Sequence, residues 1–484
     1  MMQERKLSKA GGEVNTVSTV VDHGLCTGCG GCAGVCPEDA IEMVFTQRGI
    51  LVGQINRERC TSCGLCLRIC PGDGINIPGY QERIFGEIPR HPEIGNFVQT
   101  YAAYSENEKI RFHCQSGGLI STLLIDLLET GQIDGAIVTR WKNDNPISPD
   151  TFIARNAKEI LGAAKSKYCF VPAASSIGDI LRTEGRYVFV GTGCQIHAMR
   201  KAERIKPVLK NRIAAYFGLH CLSVFNNHHT EFILGKYGIP RDLVSSFDYR
   251  SKEWRGWPCD MRIGLEDNRI IDISGLSSRL IPRPYFTPLR CVYCVDKLNE
   301  LSDVSFGDCR IARVYGRKTI RRASYGNNRG ISDVICRSRK GHAIVEEARR
   351  KGIIHTEPTT WKEVLRTTKV AEKKLALTHF KSHARILNID LPDYGFVSYP
   401  KKRRDRIIFS LLQPTSLASS AYFRLMERIA GNGIVMGLLR LCPGIVLLAV
   451  SQLRERMTNF NVFSRSELDI RYVPRKVAGR RNRP

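Results

Sequence analysis

The chain has 484 residues, of which 43% are hydrophobic and 25% charged, a balance that excludes a disordered or fibrous protein and allows about three folded domains. Its net charge of +26 suits nucleic acid, anionic lipid or an acidic protein as a partner. However, the residues from 401 onward hold 17 Lys and Arg against 5 Asp and Glu, so +12 of this charge belongs to the C-terminal end. The charge therefore predicts no specific nucleic-acid binding by the rest of the chain.

The N-terminal segment 1–19 has no apolar stretch of the kind found in secretory signals, and we expect it to be flexible. The 18 cysteines are grouped rather than scattered. In a reducing cytoplasm, grouped cysteines indicate metal binding or catalysis rather than disulfides. We therefore expect a cytoplasmic protein with metal centres.

Residues 20–80 contain the motif Cys-x2-Cys-x2-Cys-x3-Cys-Pro twice. In bacterial ferredoxins, three cysteines of each run bind one 4Fe–4S cubane and the fourth binds the other. The spacing therefore predicts one cluster on Cys26, Cys29, Cys32 and Cys70, and a second on Cys60, Cys63, Cys66 and Cys36. A pair of zinc knuckles is the alternative, but such sites use two ligand pairs rather than a doubled run with trailing prolines.

The segment 95–355 alternates between helical and strand patterns, which predicts an α/β body with its loops gathered at strand ends. Apolar runs predict a hairpin between the two cysteine motifs, formed by residues 40–44 and 50–55. In the body they predict one long helix at 119–128 and three buried strands at 134–139, 187–190 and 213–219. The fold class is therefore a multidomain α+β and α/β protein, with a two-cluster ferredoxin-like domain in front of the body.

The predicted helix at 119–128 follows Ser116, Gly117 and Gly118. Free amides at a helix N-terminus favour a phosphate or the electron-rich edge of a flavin. The same residues also serve as an ordinary helix cap, and on their own they favour that interpretation.

Four more cysteines lie in predicted strand-end loops of the body: Cys194, Cys221, Cys291 and Cys294. Loops that a sheet brings together can supply the ligands of a third cubane. A four-cysteine zinc site and a thioredoxin-like dithiol at Cys291 and Cys294 remain open alternatives on spacing alone.

These motifs occur in a recognisable order, namely SGG, GQIDGAIV, SKY, GTGCQIHAMRK, GLHC, DYRSKEWRGWP and RCVYCVDKLNELSDVSFGD. Together they resemble the beta-subunit family of coenzyme F420 hydrogenase and dehydrogenase, here with a ferredoxin domain in front. The resemblance spans about residues 20–350. It implies a bound FAD beside a third 4Fe–4S cluster, whose ligands would be Cys194, Cys221, Cys291 and Cys294.

The resemblance also implies which residues contact the flavin or the substrate. These are Ser116, Gly117, Gly118, Ser166, Lys167, Tyr168, Gly191 and Thr192. Lys167 and His220 are the candidate catalytic residues, because a lysine stabilises negative charge near a flavin and a histidine supplies protons.

The sequence departs from the family pattern at two places. Gly193 stands where the loop usually reads Gly-Thr-Pro-Cys, and we expect a looser backbone there. Leu222 and Ser223 replace the usual His-Gly after Cys221, which puts coenzyme F420 in question as the partner.

The segment 356–470 is expected to be a helical basic region, and the tail 471–484 to be disordered. The apolar stretch 433–450 contains Arg440 and Pro443, so we predict no membrane-spanning helix there. Packing on the body and peripheral contact with an anionic membrane at its inner face are the two alternatives for this region.

We expect an FAD- and 4Fe–4S-dependent oxidoreductase that passes electrons between ferredoxin or coenzyme F420 and an organic substrate. The alternative is an electron-relay beta subunit of a larger hydrogenase-like or dehydrogenase-like complex, with no substrate of its own.

Overall fold

The computed structural model describes most of the first 368 residues and few of the later ones. The described residues are 16–280, 282–311, 329–368, 370, 371, 373, 374, 377, 390–395 and 470–474. Most of the predicted basic region, including the apolar stretch 433–450, lies outside them, as do nearly all of the predicted flexible N-terminus and the end of the tail. No helix within the described ranges is long and apolar enough to cross a membrane.

The N-terminal domain is a small α+β unit. Its elements are α1 Ser18–Asp22, α2 Gly31–Val35, β1 Ile41–Phe45, β2 Leu51–Ile55, α3 Leu65–Arg68 and α4 Ile77–Phe85. The two strands pair antiparallel, with Ile41 opposite Ile55 and Phe45 opposite Leu51, so the hairpin predicted between the cysteine motifs is confirmed. Asn76 begins α4 by accepting a hydrogen bond from the Gly79 amide at 3.0 Å.

The body is built from strands and helices that alternate along the chain. The described strands are β3 Gln99–Ser105, β4 Gly135–Trp141, β5 Pro149–Ala154, β6 Tyr187–Thr192, β7 Ile213–Leu219, β8 Val244–Ser251, β9 Asp260–Leu265, β10 Arg269–Ile273, β11 Val304–Asp308, β12 Ser332–Cys336, β13 Ile354–Thr359 and β14 Ile470–Pro474. The described helices are α5 Glu108–His113, α6 Leu119–Glu129, α7 Ala157–Gly162, α8 Ile177–Arg182, α9 Gly193–Glu203, α10 Val208–Arg212, α11 His228–Lys236, α12 Arg283–Phe286, α13 Leu289–Val292, α14 Arg339–Arg350 and α15 Trp361–Thr368.

Eight strands form the main sheet in the order β13-β3-β12-β11-β7-β6-β4-β5. Its centre, β11-β7-β6-β4, is parallel, while both flanks are antiparallel. The carboxyl ends of the four central strands therefore lie along one edge of the sheet, where ligand sites of α/β folds form. The predicted mixed α/β body is confirmed in this form.

Side chains that alternate along the central strands fill two cores, one on each face of the main sheet. Val188 and Phe217 pack with α6 and α14 on one face. Phe189 and Tyr216 pack with α8 and α9 on the other, and buried residues of the N-terminal domain join this second core. The N-terminal domain is thus packed against the body rather than tethered to it.

A second sheet, in the order β14-β10-β9-β8, packs against α11. The strand β14 pairs antiparallel with β10, although residues 471–474 were expected to belong to a disordered tail. The main sheet also extends through β13 to residue 359, past the predicted body boundary at 355. Both differences have the same cause, because edge strands take their partners from distant parts of the chain, which local sequence patterns do not encode.

Candidate electron-transfer site

The eight cysteines of the N-terminal domain surround two small cavities. The first is lined by Cys26, Cys29, Cys32 and Cys70, together with neighbouring backbone. The second is lined by Cys36, Cys60, Cys63 and Cys66. The structure therefore groups these thiols in the crossed sets that the motif spacing predicts.

The two sets differ in exposure. Cys29, Cys32 and Cys70 of the first set are buried, whereas Cys63 of the second set is exposed. Burial raises the pKa of Cys70 to about 11, even though Lys201 lies nearby. Neutral thiols are favoured in such a site until positively charged iron replaces their protons.

Four cysteines line each cavity, and a cubane binds its four ligands on four separate irons. Among the described residues, no three His, Cys, Asp or Glu side chains form a group that could hold a single metal ion.

The structure also brings together the four predicted ligands of the body, from the start of α9, the end of β7 and the region of α13. These residues are Cys194, Cys221, Cys291 and Cys294. Burial raises the pKa of Cys221 above its ordinary value, and the other three cysteines add to the rise because each would be charged beside it. Four mutually adjacent, partly buried thiols suit a third cubane, and no disulfide joins any of them.

A capping box places Cys194 in the first turn of α9. The Thr192 amide donates to Gln195 Oε1 at 2.7 Å, and the Gln195 side chain in turn donates to the Val171 carbonyl at 2.7 Å. This arrangement holds Cys194 at the positive end of the helix dipole, which favours a thiolate. The polar groups of Thr192, a predicted flavin contact, thus serve to start the helix.

Gly193 makes room for Asp296. A Cβ at Gly193 would lie 2.8 Å from Asp296 Oδ2 and 3.0 Å from its carbonyl oxygen. Asp296 pairs with the buried His197 of α9 at 2.7 Å. The departure from the family loop is therefore explained by a close contact, rather than by the looser backbone that we expected.

A cavity of about 280 Å³ lies at the carboxyl edge of the four parallel strands. Its wall includes Cys194 and Cys221 of the body cysteines. It also includes most of the predicted flavin contacts, namely Ser116, Gly118, Ser166, Lys167, Tyr168, Gly191 and Thr192. The predicted cluster and the predicted flavin contacts thus share one cavity.

The Ser-Gly-Gly turn is tied into the sheet rather than left open. The Ser116 hydroxyl donates to the Ile331 carbonyl at 2.7 Å, and the Gly117 amide donates to Ser332 Oγ at 3.0 Å. A Cβ at Gly117 would lie 2.5 Å from the Ala103 carbonyl oxygen, so glycine is needed for packing. The Gly117 amide is therefore not one of the free amides that we expected to receive a ligand.

Lys167 bonds to its own backbone turn. Its Nζ donates to the carbonyls of Ala163, Ala164 and Lys165 at 2.8–3.0 Å, which uses all three of its N–H groups. Burial lowers its pKa to about 8. The structure thus gives Lys167 a role in shaping the turn, and contact with a cofactor would require breaking one of these bonds.

His220 lines the cavity and has an unused ring nitrogen. Its Nε2 is buried and has no hydrogen-bond partner in the described part of the chain. Burial lowers its pKa to about 3, with further contributions from Arg337 and Lys297, so the imidazole is neutral near pH 7. Such a nitrogen is suited to hydrogen-bond a bound ligand rather than to carry charge.

Arg250 and Asp308 line the same cavity, although sequence reasoning did not single them out as site residues. Arg250 Nη1 donates to Asp308 Oδ2 at 2.6 Å, while Arg250 Nε has no partner among the described residues. Burial alone would raise the pKa of Asp308, but the guanidinium keeps it below its ordinary value. Both residues lie in motifs that the sequence displayed, DYRSKEW and VSFGD, but only the fold shows that they meet.

Comparison with known families identifies the family of this chain. Family models described as the N-terminal and C-terminal parts of the coenzyme F420 hydrogenase/dehydrogenase beta subunit match residues 100–178 and 184–362, which together make up more than half of the chain. The chain belongs to this family. A 4Fe–4S dicluster domain matches residues 25–73, so the family body here follows an iron–sulfur domain.

Among the relatives of this family member is the coenzyme F420-dependent sulfite reductase of Methanocaldococcus jannaschii. The two sequences are 26% identical over 81% of this chain. The match covers only 56% of the sulfite reductase, which is the longer protein. The coenzyme F420 hydrogenase subunit beta of Methanothermobacter thermautotrophicus is 26% identical over 55% of this chain and 86% of its own length. These likenesses support an iron–sulfur electron-transfer protein of an oxidoreductase family.

A solved structure of the F420-reducing NiFe hydrogenase complex from Methanosarcina barkeri includes a chain that is 22% identical. The match covers 62% of this chain and 95% of that chain, with a TM-score of 0.47. This likeness is too low to carry an argument about the site.

Proposed function

We propose that this protein is an iron–sulfur flavoprotein oxidoreductase. It passes electrons between ferredoxin or coenzyme F420 and an organic substrate, using three 4Fe–4S clusters and FAD. The observation that carries the proposal is the shared cavity, whose wall holds ligands of the third cysteine set next to the predicted flavin contacts.

The exposure of the cysteines supports a path from the surface to this cavity. Cys63 of the second ferredoxin set is exposed, so an external carrier can approach it. Cys29 of the first set is buried and is an electrostatic neighbour of Cys194 of the third set. The cysteine sets therefore follow one another from solvent to the cavity.

The residues of the cavity fit a flavin. Leu119, Ile120 and Leu124 offer an apolar wall, while Arg250 Nε and His220 Nε2 offer unpartnered polar atoms. An aromatic ring system with a polar edge requires this combination. When bound, the flavin exchanges electron pairs with organic molecules and single electrons with clusters. The chain's own residues exclude water from the cavity, hold the polar edge and place the thiols beside it.

A relay subunit without its own substrate is the second candidate. Two relatives that match this chain over most of their own length are named as beta subunits, which supports it. In that case the chain would belong to a larger redox complex, and the same cavity would only exchange electrons with coenzyme F420. A chain that turns over an organic acceptor when purified alone would exclude this candidate.

The proposal places the protein in the cytoplasm, because none of the 17 cysteines among the described residues forms a disulfide, which is typical of a reducing compartment. Peripheral membrane contact by the basic C-terminal region, at the inner face of the membrane, remains an extension of the proposal. We expect no specific binding of nucleic acid. A mobility-shift assay at moderate salt tests this, and a specific shifted band would contradict it.

The decisive experiment is anaerobic purification followed by iron, sulfide and FAD determination. Three cubanes predict about twelve irons per chain, together with one FAD. Reduced ferredoxin and reduced coenzyme F420 are then each tested for bleaching of the bound flavin. About eight irons without flavin would overturn the proposal, and zinc in place of iron would overturn the cluster assignment altogether.

A pair of variants separates the third cluster from general loss of thiols. Cys194→Ser should reduce the iron to about eight per chain, since one cubane loses a ligand. Cys336→Ala is the control, because Cys336 is a fully buried thiol in β12 outside all three sets. Equal iron in both variants would mean that Cys194 holds no cluster.

A further inference from the structure

Arg290 lies in the seam between the N-terminal domain and the body. It precedes Cys291 in α13, yet its side chain turns toward the N-terminal domain, where Nε donates to the Leu25 carbonyl at 3.1 Å. Leu25 in turn precedes Cys26 of the first ferredoxin set. Only 6% of Arg290 is exposed, so its charge is held in a nearly dry environment.

The guanidinium is close to thiols of both sets. Cys26 of the first set and Cys194 of the third set are both electrostatic neighbours of Arg290. One fixed positive charge therefore acts on the first ferredoxin set and on the third set at the same time.

Tyr394 completes the contact. Arg290 Nη1 donates to the Tyr394 hydroxyl at 2.7 Å, and that hydroxyl also hydrogen-bonds Cys294 of the third set. A phenol that accepts from a guanidinium still has its own proton to donate to sulfur. Tyr394 is nearly fully buried, so this chain of bonds is shielded from solvent.

Tyr394 belongs to the segment 390–395, which lies far from Arg290 in the sequence and packs against the N-terminal domain. Ile75 donates its amide to the Asp393 carbonyl at 2.8 Å, and Ile77 donates to the Tyr394 carbonyl at 3.1 Å. His23 and Asp390 form a further contact at 2.5 Å. The segment 390–395 is therefore anchored to the N-terminal domain while its tyrosine reaches a thiol of the body.

We propose that Arg290 and Tyr394 are positioning residues that set the reduction potentials of the two clusters facing each other across the seam. This inference rests on the third cluster of the proposed function. Each cluster gains negative charge when it is reduced, so a nearby positive charge and a hydrogen bond to a ligand sulfur both favour the reduced state. Arg290 acts on both clusters, whereas the Tyr394 hydroxyl acts on the third cluster through Cys294.

The test is a redox titration of the anaerobically purified full-length protein, followed by electron paramagnetic resonance. Arg290→Gln should lower the midpoint potentials of two of the three clusters and leave that of the exposed ferredoxin cluster unchanged. Tyr394→Phe should lower only the potential of the third cluster. Arg290→Lys keeps the charge and should restore most of the shift that Arg290→Gln causes.

Arg349→Gln is the matched control, because Arg349 is an exposed partner of Glu346 on α14 and lies outside the seam. It should leave all three potentials unchanged. Unchanged potentials in Arg290→Gln, with about twelve irons still bound, would overturn this inference and leave the proposed function intact. Fewer than twelve irons in the unaltered protein would instead overturn the proposed function.

Discussion

At the scale of single residues, the candidate site depends on polar atoms whose hydrogen-bond partners and burial cannot be predicted from the sequence. His220 was selected because it stands beside a predicted ligand. In the structure it lines the cavity, and its buried Nε2 has no partner among the described residues. Lys167 was selected from its motif, yet its ammonium bonds to three carbonyls of its own turn. Arg250 was not selected, although it lines the same cavity. The residue types thus indicated which chemical groups the chain contains. The structure shows which of these groups line the cavity and which are already engaged in hydrogen bonds.

Asp333 gives a test of burial at this scale. It lies in β12, and burial raises its pKa to about 7, although the neighbouring Cys309 opposes the rise. Asp308 and Glu363 add to the rise, while Arg310 opposes it. Since the ordinary value is 3.8, the folded state binds more protons than the unfolded state between these two values. Its contribution to stability should therefore fall as the pH rises toward 7.

We expect Asp333→Asn to unfold at a higher temperature than the unaltered protein at about pH 8, because its free energy of unfolding is greater there by on the order of a few kcal/mol. Near pH 5, where Asp333 is protonated, the two proteins should unfold at similar temperatures. Anaerobic thermal unfolding across this range measures the effect. The exposed control Asp144→Asn should follow the unaltered protein, and a constant offset for Asp333→Asn at all pH values would contradict the titration of Asp333.

At the scale of elements, local sequence was a reliable guide to type. The apolar run at 119–128 predicted a helix that the structure shows as α6, and the runs at 187–190 and 213–219 predicted β6 and β7. The spacing of apolar residues differs between helices and strands, and it involves only neighbouring residues. The type of element can therefore be recognised without the fold. The pairing of β14 with β10 could not be recognised, because the two strands lie about 200 residues apart.

The capping box of α9 links an element to the site. Gln195→Ala should remove the bonds to Thr192 and Val171, at a cost of roughly 1–2 kcal/mol, and should loosen the turn that carries Cys194. We expect lower stability together with iron falling from about twelve toward about eight per chain. Unfolding temperature and iron content are measured on the same sample.

Ser338→Ala is the matched control. Ser338 caps α14 by accepting from the Gly341 amide at 2.9 Å, and it lies away from the cysteine sets. It should lower stability by a similar amount and leave the iron unchanged. Iron loss in both variants would mean that general destabilisation, rather than the position of Cys194, controls cluster binding.

At the scale of the whole molecule, close packing fixes the N-terminal domain on the body. The Ala174 amide donates to the Cys29 carbonyl at 2.9 Å, and a Cβ at Gly30 would lie 2.6 Å from the Pro172 carbonyl oxygen. Glycine at such positions allows backbone to approach backbone. The contact brings the first ferredoxin set near Cys194 and closes the seam that Arg290 spans.

Gly34 offers a direct test of this packing. A methyl group there would overlap the carbonyl oxygens of Ser175 and Ala174 across the seam. Gly34→Ala should therefore cost about 1–3 kcal/mol and slow electron transfer from the N-terminal domain to the body, because the domains must move apart. Rapid-mixing reduction by a chemical donor, observed at the flavin, measures the rate.

Gly162→Ala is the control, since a Cβ at Gly162 at the end of α7 would meet no atom within 4 Å. It should leave both stability and rate nearly unchanged. An unchanged rate in Gly34→Ala would mean that the seam does not limit electron transfer.

The sequence by itself determined the two ferredoxin motifs, the helices and strands of the body, and the family. These depend on the spacing and periodicity of neighbouring residues, which can be recognised in the sequence without knowledge of the fold. Only the tertiary structure decided that two body cysteines share a cavity with Arg250 and Asp308, that Gly193 makes room for Asp296, and that Arg290 and Tyr394 meet between two cysteine sets. Those features join residues from distant parts of the chain, and their energies come from burial and close approach that local sequence does not contain.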